Sequence, residues 1–279
     1  MVVEKRAYGK VNLFLSVGAL RPDNRHDVEN VMCRVGVYDT VRVEKTDSGI
    51  TLDMGGSTLP VNEENLAYRA AMRYFEASGI SGGAKISIEK RMPVKAGMAG
   101  GSTDAASVLL ALNDIYGALS LDELVKIGAE LGADVPFFLY DKSVMLGRGT
   151  GTALADFPPL PKSFFGVFVT CGEKQSTGAM FSLLDRTRSC EIAPKSSEAL
   201  CMALKSGNVE KILSEMKNDF EICFEGFEEI AKILYSLGAK KVMLSGSGPT
   251  AFGVFEYENE AKEAMDKIEQ QAFVCEIGI

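Results

Sequence analysis

Residues 93–106, Pro93-Val-Lys95-Ala-Gly97-Met98-Ala99-Gly100-Gly101-Ser102-Thr103-Asp104-Ala-Ala106, carry the densest chemical signal in the chain. Glycine lets a backbone turn and approach a ligand closely, and the first amides of a helix have no internal partners and face outward at the positive end of its dipole. A glycine-rich loop that runs into a helix is therefore a cradle for phosphate. The helix is read from spacing: Ala105, Val108, Leu109, Leu112 and Ile115 or Tyr116 follow the three-and-four rhythm of one buried face, which puts Ser102, Thr103 and Asp104 in the first turn. Those three types also suit a plain helix start, because their oxygens accept bonds from unpaired amides. No Gly-Lys-Ser or Gly-Lys-Thr closes the loop and it is not Gly-x-Gly-x-x-Gly, so neither common nucleotide fingerprint applies and its neighbours must say what it holds.

Three further segments supply groups for such a site. Lys10 and Asn12 share a face of a strand in which Val11, Leu13, Leu15 and Val17 alternate with Lys10, Asn12, Phe14 and Ser16. Asp134 follows a helix end and precedes Val135-Pro136, a setting that by itself suits a cap on the next helix. Leu244-Ser-Gly-Ser-Gly248-Pro-Thr250 follows a strand and has more glycine than a plain turn needs. His26 is the only histidine, and it is either an ordinary packed residue or a ligand contact.

The elements that must position these groups are legible in outline. Strands are expected at 40–44, 50–54, 84–89, 164–170, 241–244, 251–255 and 273–277, with helices at 64–77, from Ser120 to near Gly132, in several stretches over 177–237, and at 258–270. Ser120-Leu-Asp-Glu123 is a capping box. Phe157-Pro-Pro-Leu-Pro161 breaks regular structure and predicts a boundary near 155–162, dividing the chain into 1–157 and 158–279, each half α+β. The acidic residues from Glu210 to Glu229 read as solvated helix faces.

Composition narrows the partners. The 279 residues are 46% hydrophobic, enough for real cores, while a formal charge of −8 without a dense basic run argues against nucleic acid. The cysteines at 33, 171, 190, 201, 223 and 275 form no Cys-x-x-Cys pair and read as reduced thiols. No stretch approaches the roughly 20 apolar residues that span a bilayer, and the N-terminus lacks a signal-peptide pattern, so a cytoplasmic protein without a membrane partner is expected.

Taken in order, Ala7-Tyr-Gly-Lys10-Val-Asn12-Leu-Phe-Leu, the glycine-rich loop, Leu131-Gly-Ala-Asp134-Val-Pro136-Phe-Phe and the 244–250 turn resemble the GHMP small-molecule kinases, over nearly the whole chain. Arg21-Pro-Asp-Asn-Arg-His26 and Asn65-Leu-Ala-Tyr-Arg-Ala-Ala71 bring the resemblance closest to the 4-diphosphocytidyl-2-C-methyl-D-erythritol kinases within that superfamily. The resemblance implies a two-domain α+β fold, with an N-terminal half like one also used by ribosomal proteins, a ferredoxin-like C-terminal half, and an active site in the cleft between them. It implies transfer of the γ-phosphoryl group of ATP, with Mg2+, to the 2-hydroxyl of a cytidine diphosphate alcohol in non-mevalonate isoprenoid precursor biosynthesis. Other superfamily acceptors (homoserine, mevalonate or a sugar) and a non-catalytic binding protein are the alternatives.

The same resemblance implies the site residues. Asp134 is the base and Lys10 the cation beside it. ATP is held by Asn65, Lys95, Gly97, Met98, Ala99, Gly100, Gly101, Ser102 and Thr103, with Ser102 also offered to the metal. The acceptor is held by Asn12, Arg25, His26, Phe181 and Gly246. The family pattern before the histidine is Asp-Gly-Tyr-His, whose tyrosine stacks on the base; here Asp23-Asn24-Arg25-His26 stands instead, and a planar guanidinium can lie on a ring in its place.

Overall fold

The structure is a computed structural model that describes residues 1–94, 96–170, 172–173, 176–188 and 194–279. In chain order it runs β1 (Val2–Leu20), β2 (His26–Thr46), β3 (Gly49–Asp53), α1 (Leu66–Ser78), β4 (Gly83–Glu89), α2 (Gly100–Tyr116) and α3 (Leu121–Leu131). A short 3-10 helix, Val135–Leu139, then leads to β5 (Val144–Arg148), β6 (Ala153–Asp156), β7 (Phe164–Thr170), α4 (Thr177–Thr187), α5 (Glu198–Ser206) and α6 (Val209–Glu215). The chain closes with β8 (Lys217–Asn218), a 3-10 turn at Asp219–Ile222, α7 (Phe227–Ser236), β9 (Lys241–Leu244), β10 (Thr250–Phe255), α8 (Glu258–Met265) and β11 (Ala272–Ile277).

These elements form two compact units: residues 1–9, 37–94 and 99–142 in the first, and 10–36, 95–98 and 143–279 in the second. The long strands β1 and β2 therefore each give one end to each unit. Residues 157–163 are irregular, as the prolines require, and the strands on either side, β6 and β7, both belong to the second unit.

In the first unit, β2 pairs antiparallel with β4 from Thr40↔Glu89 to Thr46↔Gly83, and β3 lies parallel to β4. A parallel pair needs a crossover, and α1 supplies it. Val41, Val43, Leu52, Ile86 and Ile88 meet Ala67, Ala70, Ala71 and Tyr74 of α1 and Ala105, Val108, Leu109 and Leu112 of α2 in the core. α2 starts at Gly100, two residues earlier than its apolar rhythm indicates, because glycine hides a helix start from propensity. Asp104 accordingly lies past the first turn and is buried rather than capping.

The second unit orders its antiparallel strands β11-β7-β10-β9, with α7 and α8 packing on them. Counting β7, β9, β10 and β11 as first to fourth gives the order four, one, three, two of a ferredoxin-like sheet. β11 reaches β2 at Ile277↔Val35, and β5 pairs with β2 over 144–147 and 30–33. Leu15, Val17, Val167, Val169, Leu184, Phe220, Leu234, Leu244 and Phe255 form its core. One expectation is corrected here: of the acidic residues between 210 and 229, Asp219 is partly buried in an ion cluster. Its carboxylate accepts from Ser16 Oγ at 2.9 Å and the Val17 amide at 2.8 Å, and it pairs with Arg188 at 2.6 Å and Lys217 at 2.8 Å. Glu221 is also mostly buried, accepting from the Leu244 amide at 3.1 Å. Both carboxylates sit on the 3-10 turn at 219–222 between β8 and α7, not on the face of an α-helix.

Candidate active site

The first unit brings the loop's helix and the Asp134 turn together. Ala99, at φ 60°, is the residue before α2 and offers no side-chain cap, so the helix N-terminus keeps unpartnered amides by geometry. Ser102 and Thr103 N–H both donate to the Ala99 carbonyl at 3.0 Å, and the Thr103 side chain is buried. The Ser102 and Thr103 amides are thus already spent within the helix, which leaves the donors at its very start. A Cβ built on Gly132 would stand 3.8 Å from Ser102 Oγ, so the turn carrying Asp134 lies against the first turn of α2. Asp134 precedes the 3-10 helix at 135–139 but makes no capping bond to it. The simple cap reading of that carboxylate is removed.

Beneath α2 is a cluster that sequence reasoning missed. Lys90 Nζ contacts Asp39 Oδ2 and donates to Asp104 Oδ2 at 2.7 Å, while Asp39 Oδ1 accepts from the Arg91 and Met92 amides at 2.6 and 2.8 Å. Asp104 Oδ1 has no hydrogen-bond partner among the described residues. Burial pushes the Asp104 carboxyl up to about 7 against the pull of Lys90, with Asp39 adding to the rise; burial opposes the Lys90 charge, but its two carboxylates outweigh that and raise it. A Cβ on Gly100 would stand 3.5 Å from Lys90 Nζ, so the cluster supports the glycines that open the helix. The available signal was a lysine and an aspartate flanking the loop itself.

The second unit holds Lys10, Asn12, Gly97, Met98 and Gly246, whereas Asn65 belongs to the first. Lys10 is buried, and its Nζ donates to Asn12 Oδ1 at 3.0 Å, as their shared strand face requires. Asn12 Oδ1 also accepts from the Gly246 amide at 3.0 Å, and its Nδ2 donates to Asn30 Oδ1. Asn12 is therefore engaged by protein on both ends of its amide. Gly97, at φ 76°, has room for no side chain: a Cβ there would stand 2.3 Å from the Ser245 carbonyl oxygen. Ser245 Oγ donates to the Gly97 carbonyl at 3.1 Å, and the Lys10 amide donates to the Met98 carbonyl at 3.2 Å, so the loop's first half rests on the 244–250 turn and on β1. The Met98 side chain is core. Lys95 lies outside the described residues.

At the β1–β2 hairpin, Asn24 takes φ 58°, a left-handed conformation that asparagine tolerates in place of glycine. Arg21 N–H donates to the Arg25 carbonyl at 2.7 Å, closing the hairpin and leaving the Arg25 side chain exposed. His26 is buried, with Nε2 at 3.1 Å from both oxygens of Asp185, and its ring stacks on Phe181 at 4.8 Å between centroids. The two predicted aromatic contacts are thus neighbours, and Asp185 is a partner that the sequence did not signal. Asn65 caps α1: Oδ1 accepts from the Ala67 amide at 2.9 Å and Nδ2 donates to the Pro60 carbonyl at 2.8 Å. Among the described residues no group of three or more His, Cys, Asp or Glu side chains is arranged to hold a metal, and no helix is long and apolar enough to cross a membrane.

Comparison with known proteins identifies the family. The model described as GHMP kinases N terminal domain matches residues 65–142, and that described as GHMP kinases C terminal matches 201–275. A 4-diphosphocytidyl-2-C-methyl-D-erythritol kinase of Syntrophus aciditrophicus (strain SB) is 39% identical over 260 residues, covering 91% of this chain and 90% of its own. One of Syntrophotalea carbinolica is 36% identical over 272 residues, covering 95% and 94%. A crystal structure of 4-(cytidine 5'-diphospho)-2C-methyl-D-erythritol kinase superposes with a TM-score of 0.83 at 32% identity, covering 99% of this chain and 100% of that one. With its two glycine-rich turns, buried Lys10 and Asp134 turn, the chain belongs to the 4-diphosphocytidyl-2-C-methyl-D-erythritol kinase family of ATP-dependent GHMP small-molecule kinases.

Proposed function

We propose that this chain transfers the γ-phosphoryl group of ATP to the 2-hydroxyl of 4-diphosphocytidyl-2-C-methyl-D-erythritol, a step of non-mevalonate isoprenoid precursor biosynthesis. The observation that carries the reading is 39% identity to a kinase of that name across nine-tenths of both chains. Phosphoryl transfer needs positioning and charge stabilisation more than covalent help. The Asp134 carboxylate accepts the hydroxyl proton as the oxygen bonds to the γ-phosphorus and ADP leaves. Lys10 supplies positive charge, delivered by an ammonium that Asn12 holds in place. Amides at Gly97 and at the start of α2 bind phosphate oxygens, acting as fixed donors toward developing charge. Arg25, His26 and Phe181 receive the cytidine.

The described residues offer no cage of carboxylates, which fits an ion that needs few protein ligands. The Ser102 hydroxyl would hold Mg2+ when it binds with the nucleotide, and the ion would supply neutralisation of phosphate charge. The division of labour at residues 157 and 158 is part of the proposal, supported by family matches that fall on either side of it.

ATP consumption measured against a panel of alcohols tests the reading. It is expected with the cytidine diphosphate alcohol and absent with homoserine, mevalonate or galactose, and Asp134→Ala and Lys10→Ala each lower kcat by about 1,000-fold in folded protein. Equal turnover of any other alcohol, or near-normal turnover by either variant, contradicts it.

A further inference from the structure

We propose that Asn218 is a positioning residue for the transfer: it pins the glycine-rich 244–248 turn in the shape that holds Lys10, through two hydrogen bonds from one side-chain amide. The inference rests on the kinase reading above and adds a residue to it.

Asn218 closes β8 and is buried. Both hydrogens of its Nδ2 are spent on the turn, donating to the Leu244 carbonyl at 2.7 Å and the Gly246 carbonyl at 2.6 Å, while its Oδ1 accepts from the Phe220 amide at 3.0 Å. Asparagine is the side chain of this length that can give two N–H bonds and take a third at once. Leucine fills the same space with no donor, and aspartate offers only acceptors to two carbonyl oxygens.

What the clamp holds is Gly246. This residue sits at φ 56°, and the peptide planes on its two sides are fixed separately. Its N–H is given to Asn12 Oδ1, and its C=O is taken by Asn218 Nδ2. Asn12 Oδ1 is the same atom that receives Lys10 Nζ, and a Cβ on Gly246 would stand 3.8 Å from that Nζ. The ammonium of Lys10 is therefore located by a buried chain that runs Lys10, Asn12, Gly246, Asn218, and Asn218 is its anchor. Without it, the plane between Gly246 and Ser247 is released, and the Asn12 oxygen loses a fixed partner. A shift of the order of 1 Å in a reacting group costs about 100-fold in rate.

The test compares wild type, Asn218→Ala and Asn218→Asp, after thermal melting shows which are folded. For Asn218→Ala, kcat with the cytidine diphosphate alcohol is expected to fall about 100-fold while the KM for ATP changes by less than about threefold. Asn218→Asp keeps the shape and the bond to Phe220, and it recovers one donor when protonated, so its kcat relative to wild type rises as pH falls from 8 to 5.5. Amide hydrogen exchange over 244–248 is followed in the same proteins and needs no substrate; the clamp requires faster exchange in both variants. If the alanine variant does not fold, the aspartate variant is read alone. Wild-type kcat in Asn218→Ala, a pH-independent ratio for Asn218→Asp, or unchanged exchange overturns the proposal. A wild type that transfers no phosphate to this alcohol refutes the kinase reading instead, and exchange then decides on the clamp.

Discussion

Lys10 shows how a charge is kept in place inside this protein. It is buried on a strand, and its ammonium is held by the oxygen of a neighbour two residues away, which is itself held by a main-chain amide and by Asn30. Such satisfaction matters because a buried charge without partners is costly. Glu221 is the opposite case: burial pushes it from the usual 4.5 up to about 7, and the Leu244 amide and Lys241 only partly offset that. A carboxyl raised on folding binds its proton more tightly in the folded state, so stability falls as pH rises from about 4.5 to about 7 and is level beyond. Glu221→Gln keeps an acceptor for Leu244 and carries no charge. It is expected to melt like wild type at pH 4.5 and to be more stable by about 3 kcal/mol at pH 8, measured by thermal unfolding across pH. A variant less stable at pH 8 contradicts the assignment. The sequence marked the loop glycines by type and spacing, and the family resemblance marked Lys10, Asp134 and His26. Neither marked Asn30, Asp185 or Asn218, single polar residues whose partners come from distant segments.

At the scale of elements, α2 is the piece on which the phosphate reading depends, and it rests on an ion cluster. Lys90 lies between Asp39 and Asp104, both buried, so one cation serves two carboxyl groups, of which Asp104 holds its proton up to about 7. Removing that cation leaves charges without compensation. Lys90→Met is therefore expected to destabilise the protein by about 3–5 kcal/mol in urea unfolding. A loss below about 1 kcal/mol would contradict the role given to the cluster. Elements with clean alternation were legible from sequence: β7 and β9 have the predicted limits, and the α3 capping box is present in full. The first half of β2 was not, because both of its faces are buried and polar residues such as Glu29 and Asn30 interrupt the apolar run. β5, β6 and β8 are too short to show a period.

For the molecule as a whole, a chain of net charge −8 must bind an anionic nucleotide and an anionic acceptor. A negative net charge gives no long-range attraction, so the proposed function assigns recognition to local donors: main-chain amides at glycines, a helix terminus and one buried lysine. The α+β class and the ferredoxin-like order of β11-β7-β10-β9 followed from the pattern of elements and the family resemblance. The weave of β1 and β2 through both compact units did not, since nothing local in a long strand says where its neighbours change. The central claim is a bond: the new phosphate is on one particular hydroxyl. Phosphorus and carbon NMR of the product formed from ATP and 4-diphosphocytidyl-2-C-methyl-D-erythritol reads it directly. The account predicts a single new phosphomonoester coupled to carbon 2 of the methylerythritol unit, formed by wild type and missing with Asp134→Ala. Phosphate on any other oxygen, or the same product formed at wild-type rate without Asp134, would contradict it.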